Sequence, residues 1–193
     1  MWEFTSIAEG VSIADAIAKG APVATLSTGT AHPGKYLVMA SGDTASVVVA
    51  ADIVSDAAPE FLIDSMVIPD IAEDVATAVV AVGRNADTTA EAVGVVETES
   101  VAAAIEAADA AVKDADVSLA ALRLADGLGG KAFFIVEGSV GDVTSSVAAA
   151  TERCGDRSVM TTVIPQLTSE IRANLATSSR FKETIVTDAE GQV

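Results

Sequence analysis

Two residue types that often ligate metals or act in acid–base and nucleophilic chemistry occur once each in this chain, as His32 and Cys154. His32 is followed by Pro33 and Gly34, which favours a turn, and Cys154 stands at the end of a helical pattern. One His and one Cys exclude an intramolecular disulfide and a zinc site built from several such ligands of one chain. No nucleophile can be assigned beside His32, so we expect a protein that is not an enzyme. We expect Cys154 to be a small buried side chain.

A glycine-rich segment, Gly127-Leu128-Gly129-Gly130-Lys131, superficially suggests a phosphate-binding loop. The Walker A pattern requires four residues between its first Gly and its Gly-Lys pair, and a Ser or Thr after the Lys. Here the spacing is shorter and Ala132 follows the lysine. The segment is therefore interpreted as a tight loop whose glycines allow positive φ angles or close backbone approach.

The composition narrows the possible partners. Of 193 residues, half are hydrophobic and only 4% aromatic, and 28 Asp and Glu against 11 Lys and Arg give a net charge of −17. Such a surface repels phosphate backbones and anionic lipids, so neither nucleic acid nor a membrane is an expected partner. The first residues lack the pattern of a signal peptide, and no apolar run reaches the roughly 20 residues that cross a bilayer. We expect an acidic cytoplasmic protein.

The elements that position these residues are organised as an internal repeat. Residues near the start of the chain recur 94 positions later; Lys113, for example, repeats Lys19. Residues further along recur 96 positions later, so Gly130-Lys131 repeats Gly34-Lys35. The order is kept over about 65 residues, which indicates a tandem duplication. Further matches join Glu3, Ser6, Ala14-Asp15-Ala16, Gly42 and Val67-Ile68-Pro69 to Glu97, Ser100, Ala108-Asp109-Ala110, Gly138 and Val163-Ile164-Pro165.

Each copy is predicted to be a βαββαβ unit of the ferredoxin-like, split-βαβ kind with an added C-terminal helix, an α/β (α+β) fold with an antiparallel sheet flanked by helices. In the second copy, Ser100 is predicted to cap a helix. The predicted strands are 23–27, 35–40 and 61–68 in the first copy and 92–97, 117–124, 131–137 and 158–164 in the second. The predicted helices are 7–19 and 45–57, then 101–114, 141–153 and a last one that ends near 175.

The pattern divides the chain into a first domain at 1–82, a linker at 83–91, a second domain at 92–176 and a polar tail at 177–193. The linker is polar and rich in turn-forming residues. Each domain is small and rich in Ala, so its core is thin and it gains stability from burial against neighbours. This favours an oligomer.

Three segments follow one another in the second copy: Val93-Gly94-Val95-Val96-Glu97-Thr98, then 102–110 with Lys113, then the glycine-rich loop followed by 133–143. In this order they resemble the bacterial microcompartment shell-protein domain. With the repeat, the resemblance covers about residues 1–175 and indicates the tandem-domain, trimeric class. It is most similar to the propanediol-utilisation-type shell proteins that carry a cofactor site in the pore.

The resemblance implies a structural tile of the protein shell of a bacterial organelle. Three tandem chains of this class form a flat pseudohexamer with a central pore, and tiles join other shell proteins edge to edge. The implied pore-lining residues are His32, Pro33 and Gly34 in the first copy and Leu128, Gly129 and Gly130 in the second. The pore would pass small metabolites. The implied tile-edge residues are Lys19 and Lys113.

The chain departs from the family pattern at three places. His32 stands where the iron–sulfur members have Cys, so no such cluster is expected. Asp70 and Gln166 stand where an edge arginine often follows Ile-Pro. The first strand, within residues 1–4, matches only the end of its counterpart, so either this strand is shortened or the native start lies upstream.

Two alternatives to a plain pore stay open. A threefold axis would bring three copies of His32 together, which could bind a metal ion or a redox cofactor in the pore. Alternatively, duplicated ferredoxin-like domains could form a regulatory protein that binds a small molecule. The enclosed pathway, the pore diameter, the inward face and the role of the tail are not predicted.

Overall fold

The computed structural model describes residues 1–57, 59–80 and 90–177, without the side chains of 173, 176 and 177. Most of the predicted linker and all but the first residue of the predicted tail lie outside these residues. The described residues form two sheets, and none of their helices is long and apolar enough to span a membrane.

The first copy runs β1 (Trp2–Phe4), α1 (Ile7–Gly20), β2 (Thr25–Ala31), β3 (Lys35–Ser41), α2 (Thr44–Ala57), β4 (Leu62–Ser65) and α3 (Glu73–Val80). The second runs β5 (Ala92–Thr98), α4 (Val101–Asp114), β6 (Ser118–Leu124), β7 (Ala132–Gly138), α5 (Val140–Cys154), β8 (Ser158–Pro165) and α6 (Ser169–Thr177). Short 3₁₀ turns precede β4 and β8.

Both sheets are antiparallel, in the orders β2-β3-β1-β4 and β6-β7-β5-β8. This is the split-βαβ arrangement, so the predicted ferredoxin-like fold is confirmed. The predicted cap is also present: the Ala103 N–H donates to Ser100 Oγ at 3.1 Å, and the Glu9 N–H donates likewise to Ser6 Oγ at 3.2 Å.

Two predicted strands of the first copy have the wrong bounds. The strand predicted at 61–68 ends at Ser65 because its partner β1 offers only Trp2–Phe4 for pairing, and the Met66 N–H closes the ladder on the Met1 carbonyl at 3.0 Å. The strand predicted at 23–27 instead spans Thr25–Ala31. Each residue from Thr25 to Ala31 pairs with a residue of β3, and this pairing continues the strand beyond the predicted end.

One hydrophobic core joins the two domains. Within the first domain, α1 and α2 cover one face of the sheet, where Ile13 and Val54 of the helices and Phe4 of β1 belong to one core. Residues of the opposite side, such as Met1 and Leu37, pack into the core that contains α4 of the second domain. Helix α4 is therefore buried between its own sheet and the sheet of the first domain.

Candidate functional site

The turn between β2 and β3 and the loop between β6 and β7 lie against each other. The first turn contains His32, Pro33 and Gly34, and Gly34 has a φ of +115°. The second loop contains three glycines with positive φ angles, Gly127, Gly129 and Gly130. Such angles favour glycine, so the interpretation as a tight loop whose glycines allow positive φ angles is confirmed.

Gly130 is the point of closest approach between the two loops. A Cβ at this position would lie 2.7 Å from Pro33 Cδ and 3.1 Å from the His32 carbonyl oxygen. The Gly130 carbonyl accepts a hydrogen bond from Lys35 Nζ at 3.1 Å. Gly130 therefore allows the loop of the second domain to rest directly on the turn of the first.

His32 faces a carboxylate of the other loop. Its Nδ1 lies 3.8 Å from Asp126 Oδ1, and the two side chains are 74% and 80% exposed. The structure thus brings His32, Pro33 and Gly130 together, although they lie in different domains. Leu128 lines a separate hollow of about 540 Å³ on the second domain, and the space around the Gly34 and Gly129 Cα atoms is open.

A buried ion pair supports the two loops from below. Lys35 Nζ lies 3.2 Å from Glu3 Oε2, and the two side chains are 14% and 0% exposed. The other carboxylate oxygen, Glu3 Oε1, accepts a hydrogen bond from the Ala102 N–H at 2.7 Å, in the first turn of α4. Burial raises the pKa of Glu3, while the bonds from Ala102 and Lys35 lower it. This pair fixes the first domain against the start of the second.

A second polar cluster holds the same domain boundary. Asp64 at the end of β4 accepts hydrogen bonds from Ser100 Oγ and from Arg157 Nη1, the latter at 3.2 Å. Arg157 Nη2 also donates to Glu106 Oε2 on α4 at 2.6 Å. Neither boundary cluster is predicted from the sequence. For the first of them a signal was present, because charged Glu and Lys residues recur in both copies within otherwise apolar strands.

The two predicted edge lysines have different surroundings. Lys113 Nζ donates to the Asp70 carbonyl and to Asp109 Oδ2, the latter at 2.7 Å, and its side chain is 43% exposed. Lys19 pairs with Asp15 on its own helix and is 73% exposed. The other carboxylate oxygen of Asp109, Oδ1, accepts a hydrogen bond from the Ala72 N–H at 2.7 Å.

Cys154 belongs to neither loop; it is the last residue of α5. Its thiol is buried at the end of α5, with Sγ 3.9 Å from the Ala103 carbonyl, and burial raises its pKa. The expectation of a buried Cys is confirmed. Among the described residues of one chain, no group of three or more His, Cys, Asp or Glu side chains could hold a metal ion.

The comparisons with known proteins agree with this fold. The model of the BMC domain family matches the chain twice, at residues 1–71 and 92–167. The chain therefore belongs to the BMC domain family. It is 42% identical over 166 residues to the bacterial microcompartment shell protein PduT of Citrobacter freundii, covering 85% of this chain and 89% of PduT.

Two further relatives support the family assignment. The major carboxysome shell protein CsoS1A of Halothiobacillus neapolitanus is 39% identical over 89 residues, which covers 45% of this chain and 89% of CsoS1A. A crystal structure of a microcompartment protein from Desulfitobacterium hafniense superposes with a TM-score of 0.74 at 35% identity, covering 89% of this chain and 96% of that one. This BMC protein is accordingly a shell protein of a bacterial microcompartment, and the resemblance found in the sequence is confirmed.

Proposed function

We propose that three copies of this chain form a homotrimeric, pseudohexagonal shell tile whose central pore is bounded by the two loops. The pore-lining residues are His32, Pro33, Gly34, Leu128, Gly129 and Gly130. The observation that carries this proposal is a difference between the duplicated helices α1 and α4. Val101 and Ile105 of α4 are completely buried by the first domain, whereas their counterparts Ile7 and Val11 on α1 are 44% and 50% exposed.

The difference has a simple geometric reason. Among the residues that the structure describes, the sheet of the first domain covers α4 of the second, but no second sheet covers α1 in the equivalent way. The second domain of another copy can cover α1 with the same kind of contact. Because this contact joins two different surfaces, it repeats from chain to chain and closes into a ring when the rotation permits. Three tandem chains give six domains in the ring.

The pore would select by size and polarity rather than by catalysis. Its rim combines backbone amides of glycine-rich turns with the exposed His32 and Asp126 side chains. Such a rim favours the passage of small polar metabolites, and the well-packed tile around it retains larger or less polar molecules. The role is structural and requires no catalytic group.

The donor set does not fit an iron–sulfur cluster. Such clusters require several thiolates, and the thiol of Cys154 is buried against α4 rather than near the loops. Three His32 side chains on the axis would still offer a site for a single metal ion, so metal analysis of the purified trimer belongs to the test. About one metal per three chains would replace the plain pore with a metal-binding one.

Tile edges are proposed at Lys19 and Lys113, where ammonium groups would meet backbone carbonyls of neighbouring tiles. The contact of Lys113 with the Asp70 carbonyl is a local example of this chemistry. Lys19 is the better position for a test, because its side chain is 73% exposed and pairs with Asp15 of the same helix. Lys19→Ala should reduce the formation of sheets seen by electron microscopy while the particle mass stays unchanged.

The ring itself is tested by Val11→Asp, which places a charge on the exposed face of α1. The control is Val48→Asp on α2, since Val48 is 46% exposed and its counterpart Thr144 is also exposed. We expect sedimentation to give monomers for the first variant and trimers for the second. Trimers of unchanged stability with Val11→Asp would contradict the proposed interface.

A further inference from the structure

The buried Glu3–Lys35 pair has a copy in the second domain. Its counterparts in the repeat, Glu97 and Lys131, also form an ion pair, with Lys131 Nζ 2.8 Å from Glu97 Oε1. The strand registers agree, because Glu3 lies opposite Leu37 and Glu97 lies opposite Phe133. The duplication therefore preserves both the residues and their contact.

The two copies differ in their burial. The Glu3 and Lys35 side chains are 0% and 14% exposed, whereas the Glu97 and Lys131 side chains are 36% and 49% exposed. The exposed pair lines the open hollow of about 540 Å³, together with Phe133 and Leu128. The second domain covers the pair of Glu3 and Lys35. Within the described residues of the chain, no domain covers the pair of Glu97 and Lys131 in the same way.

The cover of the first pair consists of two backbone groups of the second domain. The Ala102 N–H donates to Glu3, and the Gly130 carbonyl accepts from Lys35. The repeat assigns their counterparts in the first domain as the Ala8 N–H and the Gly34 carbonyl. Ala8 lies exposed in the first turn of α1, where N–H groups have no carbonyl partner within the helix, and the space beside Gly34 is open.

We propose that Glu97 and Lys131 form half of an intersubunit site that the first domain of a second copy completes. Glu97 accepts a hydrogen bond from the Ala8 N–H of the next chain, and Lys131 donates to the Gly34 carbonyl of that chain. Ile7 and Val11 of the same helix enter the hollow beside Phe133. This inference rests on the proposed trimer and identifies the polar contact that fixes its register.

One residue differs between the interface inside the chain and the proposed interface between chains. In the first sheet, Asp64 lies opposite Glu3 and accepts hydrogen bonds from Ser100 and Arg157 of the same chain. In the second sheet, the residue opposite Glu97 is Met160, whose side chain is 66% exposed. The interface between chains therefore replaces an ionic cluster with an apolar contact. The duplicated pair of Glu97 and Lys131 is the charged element that we assign to it.

Amine acetylation followed by mass spectrometry tests the site in the wild-type protein. In a trimer, we expect Lys131 to lose reactivity until it reacts as slowly as the buried Lys35. In the monomeric Val11→Asp variant, Lys131 should react rapidly while Lys35 stays protected. A trimer in which Lys131 reacts as rapidly as in the monomer would overturn the inference and leave the trimer intact. Absence of any trimer would instead refute the proposed function.

A second measurement uses Glu97→Gln, with Glu152→Gln as the matched control on an exposed surface of α5. The Gln keeps the shape but leaves a buried Lys131 unpaired, which should raise the subunit concentration at half-dissociation at least about a hundredfold. The control should leave that concentration unchanged. Equal dissociation of the two variants, measured by native mass spectrometry over a dilution series, would overturn the inference.

Discussion

Lys35→Met is predicted to destabilise the chain in a strongly pH-dependent way. The substitution keeps most of the apolar side-chain volume but removes the ammonium group that pairs with Glu3 and donates to the Gly130 carbonyl. Glu3 is completely buried, so the variant must either bury an unpaired carboxylate or keep the carboxyl group protonated. Protonation is the cheaper route and sets the upper limit of the cost.

The magnitude follows from the unperturbed pKa of 4.5 for Glu3 in the unfolded chain. Keeping this group protonated costs about 3.4 kcal/mol at pH 7 and about 0.7 kcal/mol at pH 5. Loss of the hydrogen bond to Gly130 adds about 1 kcal/mol at either pH. In the wild type, burial already raises the pKa of Glu3 above 4.5, so the penalty of the variant relative to the wild type grows from that raised pKa to the still higher pKa of the variant and is then constant. The value of about 3.4 kcal/mol at pH 7 is therefore an upper limit. Lys35→Met should therefore cost up to about 4 kcal/mol at pH 7 and less than about 2 kcal/mol at pH 5.

Urea unfolding at a fixed subunit concentration measures these values, and both pH values lie above the isoelectric point of about 4.1. Lys19→Met is the control, since its pair with Asp15 is mostly exposed and should contribute less than about 1 kcal/mol. Adding Glu3→Gln to Lys35→Met should remove the pH dependence. A penalty that is equal at both pH values, or no larger than that of the control, would refute the assignment of Glu3 and Lys35 as a buried pair.

Two further predictions concern the loops and the core. Gly129→Ala should lower the free energy of unfolding by about 1 kcal/mol, because residue 129 has a positive φ. Gly130→Ala should lower it by about 1–3 kcal/mol more, because its Cβ also meets Pro33. Equal thermal midpoints for the two variants would contradict the contact between the loops. Cys154 should react with a thiol reagent only as the protein unfolds, because burial keeps the thiol neutral and inaccessible. Rapid labelling of the native protein at pH 7.5 would contradict its position under α4.

The sequence predicted those features that depend on local pattern. The Ser100 cap, the helices and the central strands follow from residues close in the chain, and the duplication gave each domain its topology. The end of β4 could not be predicted in this way, because it depends on how far its partner β1 extends. The bounds of strand β2 could not be predicted either, because they depend on its pairing with β3, in which Thr25 lies opposite Ser41 and Ala31 opposite Lys35.

The contacts between the domains were the least predictable part. His32 and Asp126 are separated by more than ninety residues, and only the packed structure places Nδ1 and Oδ1 3.8 Å apart. The burial of Glu3 also depends on the second domain, since its copy Glu97 forms the equivalent ion pair but has a side chain that is 36% exposed. Equivalent residues of the two copies therefore have different environments, which depend on how the domains pack.

The native mass of the wild-type protein tests the central claim most directly. Native mass spectrometry should give one species near 58 kDa, three times the chain mass of 19.4 kDa. That particle should dissociate to the single-chain mass with Val11→Asp but not with Val48→Asp. A wild-type protein that stays at 19.4 kDa at micromolar concentration, or that stops at a dimer, would contradict the ring of six domains and the pore at its centre.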